Sequence, residues 1–450
     1  MKKKTYFWLM VLILICFSVL PDSGQGKTAN DTIVIDGANI WDGSGGPLIR
    51  DARLVFTGDR VQAVGPRAAV RIPDGATVIK AEGKTLIPGL INAHGHVGMT
   101  RGLKAGKENY DRENILAHLR QYARYGVTTL LSLGSDLDEI FALRGPARPD
   151  ETPRATVFTA GRGFTGKAGY PAVLPGNAGI PREVDSVEEV RANVAELAKQ
   201  KVDMVKIWVD DHWGHYKKIR PELTRAIITE AHKNNLRVMA HIFYLEDAKQ
   251  LAEQGINGFA HSIRDQEIDD ALIGTLKQKK IFLAPTLVRE ESTFIYATPP
   301  AFLDDPFFNR LVAPEIIRQL KDPAYGERVR SDPDFSKYPG QLKMGKINLK
   351  KMWDAGVTVV FGSDTGPPAR FQGFFEHREL ELMVEAGLTP AQALQIATSR
   401  TAATLGLSRD FGTLAKGKRA DMILLDADPL VNIRNTHQIN KVWIGGRQVD

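Results

Sequence analysis

Leu86-Ile-Pro-Gly-Leu-Ile-Asn-Ala-His94-Gly-His96 is an apolar run that closes on two histidines one residue apart. In an extended strand, side chains at i and i+2 point to the same side, so both imidazoles can reach one point. Neutral imidazole is the commonest protein ligand of metals, and two converging rings supply half of a zinc site. Taken alone, a His-x-His pair also fits two hydrogen-bonded core residues. The histidines and acids further along decide between these readings.

Past this run, short apolar strands alternate with amphipathic helical stretches through about residue 407. The strands are expected to end at His96, Gly134, Gly161, Val209, Phe243, Ile263, Leu287 and Asp364. Helical patterning covers 186–200, 221–234, 245–254 and 389–405, the last opened by Thr389-Pro390, a cap residue followed by a first-turn proline. Eight strand–helix units predict an α/β fold, a (β/α)8 TIM barrel over 86–411. Residues 28–85 and 412–450 have a different texture. Thr32-Ile-Val-Ile-Asp-Gly and Asp421-Met-Ile-Leu-Leu-Asp cluster β-formers around tight turns, as strands of a small β-sandwich built from both chain ends would. The stretch 290–342, rich in proline and phenylalanine, interrupts the alternation before the eighth strand. It reads equally as a lid or substrate wall and as an inert insertion.

The whole chain sets further bounds. Of its 450 residues, 43% are hydrophobic and 25% charged, the proportions of an ordinary folded protein. A net charge of +6 without any basic cluster excludes nucleic acid as the expected partner. Lys2-Lys3-Lys4, an apolar run over 6–20 and a small polar exit read as a signal peptide over 1–24. The expected location is therefore periplasmic or extracellular, with no stable membrane span after cleavage; an uncleaved N-terminal anchor is the alternative. The single cysteine, Cys16, lies in that segment, so the mature chain has neither a disulfide nor thiolate chemistry. A homo-oligomer is compatible with the composition but not required by it.

On the expected barrel, the polar residues gather at strand ends. His94 and His96 close the first strand, His241 the fifth, His261 the sixth and Asp364 the eighth, while Lys206 lies inside the apolar fourth. The C-terminal ends of barrel strands converge on one face, so residues distant in sequence can meet there. A lysine in an apolar strand is costly unless it is paired, neutral or modified. An acid across the barrel could pair with Lys206, and Asp364 in Ser363-Asp-Thr-Gly could simply cap a turn; both readings stay open at this point.

With the Pro-Gly-Leu-Ile-Asn-Ala-His-Gly-His motif stand Gly126-Val-Thr-Thr, Glu385-Ala-Gly-Leu-Thr-Pro-Ala-Gln-Ala-Leu and Gly412-Thr-Leu-Ala-Lys-Gly-Lys-Arg-Ala-Asp421. In these the chain resembles the amidohydrolase superfamily, particularly its imidazolonepropionase-like and Xaa-Pro-dipeptidase-like branches. The resemblance implies two divalent metal ions, with zinc the expected identity. His94, His96 and Asp364 would hold one and His241 and His261 the other, bridged by N6-carboxylated Lys206. It further implies a metal-activated hydroxide that hydrolyses an amide C–N bond, with Asp364 as the catalytic proton carrier. A dipeptide or N-acyl amino acid is the expected small-molecule substrate. Alternatives on the same site are a cyclic amidase, a lactonase or a phosphotriesterase-type hydrolase, and a non-catalytic metal-binding barrel.

The chain departs from that family around the substrate. His241-Ile-Phe-Tyr244 and Ala260-His261-Ser262 differ from common relatives, and Lys167-Ala-Gly169-Tyr170 stands where a Gly-Gly-His is frequent. The side chain that orients the substrate carbonyl in those relatives is then either replaced by Tyr170 or missing. Arg162, Tyr170, His215, Tyr244 and Arg264 all fall just past strand ends and are the substrate-binding candidates. An arginine among them could hold a substrate carboxylate through two hydrogen bonds. His212, near His215, and His377 are expected to pack or cap rather than to ligate.

Overall fold

The computed structural model describes residues 32–450, so the signal-peptide reading of 1–24 lies outside the described residues. The chain opens with five strands: β1 (Thr32–Ile40), β2 (Ile49–Thr57), β3 (Arg60–Pro66), β4 (Thr77–Lys80) and β5 (Thr85–Pro88). A register shift in β1 between Asp36 and Ala38 is made at Gly37, whose φ of +82° suits a residue without Cβ.

From β6 (Leu90–Gly95) to Ala284 the strands pair in parallel, apart from one short antiparallel ribbon. A two-residue ribbon, β7 (Thr100–Arg101) with β8 (Lys104–Ala105), precedes β9 (Val127–Ser132) and β10 (Thr156–Thr159), giving one sheet in the order β10-β9-β6. The second parallel sheet is formed by β11 (Phe164–Gly166), β12 (Arg182–Val184), β13 (Val205–Trp208), β14 (Val238–His241), β15 (Gly258–Ala260) and β16 (Phe282–Ala284). Its order is β12-β11-β13-β14-β15-β16. Asp203 N–H donates to Thr159 O at 2.8 Å, which ties the entry of β13 to β10.

The expected eighth strand is irregular. Val359 bridges Leu283 of β16, and Ala93 N–H of β6 donates to Phe361 O at 2.8 Å, so the segment lies between those two strands. Ser363 and Asp364 N–H groups then both reach His94 O, at 3.2 and 2.6 Å, which breaks the even ladder of a parallel pair. The seventh strand ends at Ala284 rather than Leu287. Thr286, at φ +49°, turns the chain into the helix Leu287–Ser292, whose first two N–H groups donate to the Glu379 carboxylate.

Ala93, Leu131, Ala160, Met204, Met239, Ala260, Ala284 and Val360 come from successive parallel segments and form one buried cluster. Alanine and methionine predominate there, with Leu131 and Val360, where side chains from the parallel strands meet. Around them pack helices whose ends were readable. Val187–Gln200 begins in a capping box of Ser186 and Glu189, and Leu245–Gln254 stops at Gly255 in the left-handed conformation. The stretch expected as one helix over 389–405 is interrupted by a π-turn, Ile396–Arg400. There Thr401 Oγ1 donates to Ile396 O at 2.6 Å and accepts from Phe361 N–H at 2.8 Å. The extra residue serves the irregular strand.

The chain returns to the first sheet through β17 (Met422–Leu425), β18 (Ile439–Ile444) and β19 (Arg447–Gln448). The order is β19-β18-β17-β5-β1-β2-β3, with β4 beside β1, so both ends of the described chain share eight strands. Strand β5 sits between β1 and β17, which carries this sheet through Pro88. Residues 290–342 are largely helical, and Phe302, Phe307 and Phe308 from this stretch stack edge-on or tilted against Phe374.

Candidate metal centre

His94 and His96 leave the end of β6 in an edge-to-face pair, ring centroids 5.4 Å apart. His94 stands 4.9 Å from His261, and His261 stands 4.3 Å from His241. The four imidazoles thus form a continuous row across strand ends β6, β15 and β14. Asp364 Oδ1 lies 2.8 Å from His96 Nε2 and 3.3 Å from His94 Nε2. These three residues bring ligand atoms within 4.8 Å of one another in a buried setting. His261 (φ +75°) and Asp364 (φ +56°) are both left-handed non-glycine residues, a strained geometry that persists where surrounding structure enforces it.

Each outer nitrogen of three rings has a fixed partner. Ser135 Oγ is 2.7 Å from His96 Nδ1, Thr286 Oγ1 is 2.6 Å from His261 Nδ1, and Asp210 Oδ2 is 2.8 Å from His241 Nε2. Such partners set ring orientation and leave the other nitrogen for a ligand. Burial pushes the pKa of His241 down to about 3 and those of His94 and His261 well below the usual range, so all three are neutral donors near pH 7. Burial alone would raise the Asp364 carboxyl, but Arg370 and the two histidines hold it well below the usual carboxylate range.

Lys206 is fully buried and its Nζ has no hydrogen-bond partner. Burial pushes its pKa down to about 7. The room for its stem is made by glycines. A Cβ on Gly134 would stand 2.6 Å from Lys206 Cγ, and one on Gly163 would stand 2.9 Å from Lys206 Cβ. No acid across the interior pairs with this lysine among the described residues.

The unpartnered buried Nζ of Lys206 and Nδ1 of His94, together with a donor set of neutral nitrogens and a carboxylate, fit a divalent transition-metal centre. The residues open into a cavity of about 340 Å³ whose walls include Met99, Tyr170, Leu174, Ile180, Trp208 and Arg370. A larger and more open depression, about 820 Å³, runs beside the helix Tyr338–Asp354 and holds none of the histidines.

The substrate-binding candidates separate. Tyr170 lines the cavity, its ring 5.3 Å from that of His241, and burial raises its phenol pKa so that it stays protonated. Arg162 is instead spent on the carbonyls of Gly179, Ile180 and Pro181. Arg264 is buried against Glu290 at 3.1 Å and Ile242 O at 3.0 Å. Tyr244 donates to Asp211, and the exposed His215 pairs with Asp334. None of these four lines the cavity, nor does any residue of 290–342. His377 sits in the core, bonded to Tyr125 O and Thr436 Oγ1.

Sequence reasoning passed over Asp210 and Arg370. The first had a signal: Lys206, Trp208 and Asp210 alternate, so a continued strand would put all three on one side. Arg370 had none, since it follows Asp364 through a turn, with Arg370 N–H donating to Pro367 O.

A barrel-like α/β protein with a histidine–carboxylate centre at strand ends is the class these features define. The chain belongs to the amidohydrolase family, whose model matches residues 85–449. It is 23% identical over 435 residues to an imidazolonepropionase of Streptomyces avermitilis, covering 95% of this chain and 93% of that protein. Over 434 residues it is 23% identical to Adenine deaminase 2 of Bradyrhizobium sp. strain ORS 278, covering 96% of this chain and 59% of that one. The chain spans little more than half the length of the first curated relatives it matches. A solved Xaa-Pro dipeptidase superposes with a TM-score of 0.72 at 20% identity, over 93% of this chain and 99% of that one. That likeness carries the fold, which is TIM-barrel-like.

Proposed function

We propose that this protein is an exported metal-dependent amidohydrolase that cleaves the amide C–N bond of a dipeptide or N-acyl amino acid. On this reading the parallel strands close as a (β/α)8 barrel, with a β-sandwich contributed by both chain ends. The observation that carries it is the meeting of four buried histidines and Asp364 at the head of one cavity, with a fully buried, unpartnered Lys206 on β13, the strand beside the one that ends in His241. His94, His96 and Asp364 would hold one ion, His241 and His261 a second, and Lys206 as its N6-carboxylate would bridge them. Zinc is the metal best matched to these donors. Bound there, the pair of ions would supply Lewis acidity and lower the pKa of water.

The chain's own groups account for the remaining steps. Asp210, Ser135 and Thr286 hold the rings in place. The protonated Tyr170 phenol donates to the substrate carbonyl. Asp364, ionised, takes the proton released as water adds to the acyl carbon and returns it to the nitrogen as the C–N bond breaks. Apolar walls keep bulk water from competing. Carboxylation relieves the burial of Lys206 by exchanging a lone ammonium for an anion that can be shared between cations.

Replacing Lys206 with Ala tests the reading. Metal content, turnover of N-acyl amino acids and the added mass of one carbon dioxide on the wild-type lysine should disappear together. Full activity in Lys206→Ala contradicts the two-metal arrangement.

A further inference from the structure

Among the described residues lining the histidine cavity, Arg370 is the only cationic side chain and Asp364 the only acid. Arg370 is largely buried, its side chain 16% exposed, and Nη1 donates to Asp364 Oδ2. A guanidinium carries five N–H donors in a fixed plane, and that single contact leaves the Nε and Nη2 edge of the fork without a protein acceptor among the described residues. The turn that presents it is fixed by Gly366 N–H donating to Arg370 O at 2.9 Å and Arg370 N–H donating to Pro367 O at 3.0 Å. It is held against the catalytic carboxylate by backbone, at the wall of the cavity.

We infer that Arg370 reads a carboxylate on the amine side of the scissile bond, which makes the substrate an N-acyl α-amino acid with an apolar acyl group. This deepens the amidohydrolase reading and rests on it. The geometry of the substrate follows from the pair. Asp364 returns its proton to the leaving nitrogen, so that nitrogen lies beside Asp364, and Arg370 lies on the other side of the same carboxylate. In an α-amino acid, nitrogen and carboxylate are joined through one carbon, the separation that lets one contact Asp364 while the other meets the open edge of the fork. Met99, Pro171, Leu174, Ile180, Pro181 and Trp208 also wall the cavity, and they suit an aliphatic or aromatic acyl chain. A free dipeptide would bring an ammonium into those walls, where no acid other than Asp364 is present to receive it. Burying that charge unpaired disfavours dipeptides relative to acylated amino acids.

The test uses metal-loaded full-length protein and three amides: N-phenylacetyl-L-leucine, its counterpart lacking the carboxylate, N-isopentyl phenylacetamide, and the dipeptide Phe-Leu. Wild type should favour the acylated amino acid over the carboxyl-free amide by about 100-fold in kcat/KM and over the dipeptide by about 10-fold. In Arg370→Met the first ratio should collapse toward unity, chiefly through KM, and Arg370→Lys should restore part of it. An unchanged ratio in Arg370→Met, or a wild type that prefers the dipeptide, overturns the inference. Calorimetric titration with N-phenylacetyl-L-leucine separates this from the parent reading. Binding that weakens at least about 10-fold in Arg370→Met without turnover of any amide contradicts the hydrolase and upholds the carboxylate contact. Equal binding by both proteins, with turnover intact, contradicts the contact alone.

Discussion

The carboxylate of Asp210 holds Nε2 of His241 at 2.8 Å, with both side chains buried. The ring therefore presents Nδ1 to the row of histidines. Asp210 lies only four residues past Lys206 on the same segment, so one short stretch of chain carries a bridging candidate and the group that orients its neighbour's imidazole. Asp210→Ala frees that ring and leaves the nearby Arg264 with one acid fewer. Loss of such an outer partner typically lowers metal affinity or activity by about 10- to 100-fold. Competitive chelator titration should show this loss in the most weakly held ion, with Asp210→Asn intermediate.

A single added methyl group at Gly134 should disable the centre. Its φ of +99° already disfavours any side chain, and the Cβ would collide with Lys206 at 2.6 Å. Gly145 is the matched control, with φ +90° and nothing within 4 Å of its Cβ. Both alanine variants carry a backbone strain of about 1–3 kcal/mol, readable by chemical denaturation. Only Gly134→Ala should also lose bound metal. Equal metal content in the two variants contradicts the close packing of glycine on lysine.

Stability should fall on the acid side of neutrality. Burial pushes the pKa of His118 down to about 4 and that of His377 to about 3, both from an ordinary 6.5. His118 Nδ1 accepts from Gly98 N–H at 3.0 Å, a bond that a protonated nitrogen cannot accept. Below 6.5 the unfolded chain binds protons at these two positions that the folded chain refuses, so their contribution to stability is full above that value and declines as pH falls toward 4 and 3. Each histidine contributes a slope of about 1.4 kcal/mol per pH unit in its window. Denaturation midpoints across pH 4 to 7 should show the decline, and His377→Gln should remove one histidine's share of it, the buried His94, His241 and His261 contributing in the same direction. A slope untouched by that substitution assigns the effect elsewhere.

Glu376 should prove as important to the metal site as a ligand, although it reaches none. Its buried carboxylate accepts from Asn92 Nδ2 at 2.7 Å, Ser363 Oγ at 2.6 Å and Gly373 N–H at 2.6 Å. Asn92 Oδ1 in turn accepts from His94 N–H at 2.8 Å, so this network joins β6 to the irregular strand that carries Asp364. Glu376→Ala strands several buried donors and should cost about 3 kcal/mol or more, with the metal lost at ordinary temperature. Thermal melts with and without added zinc measure both effects.

Much of this arrangement was legible in the residues. Apolar runs that terminate in His96, His241 and His261 place these residues at or one past the ends of β6, β14 and β15, short of the ends expected at Phe243 and Ile263, and the alternation of strands with amphipathic helices gives the barrel-like architecture. The misplaced end at Leu287 has a local cause: Thr286 adopts a left-handed conformation, and the helix it starts is capped by Glu379, distant in sequence. Pattern reading could not foresee that cap. Charged residues were the hardest to place. Arg162 and Arg264 fall just past strand ends, as pocket residues do, yet Arg162 is spent on carbonyls and Arg264 is buried in an ion pair with Glu290. Arg370 reaches the cavity through a turn whose direction has no periodicity to read.

The most direct measurement is the metal stoichiometry and anomalous scattering of a metal-replete crystal. Two ions per chain are expected, one against His94, His96 and Asp364 and one against His241 and His261, with density for a carboxylate on Lys206 between them. Fewer than one ion per chain, or ions bound away from the row of histidines, contradicts the account.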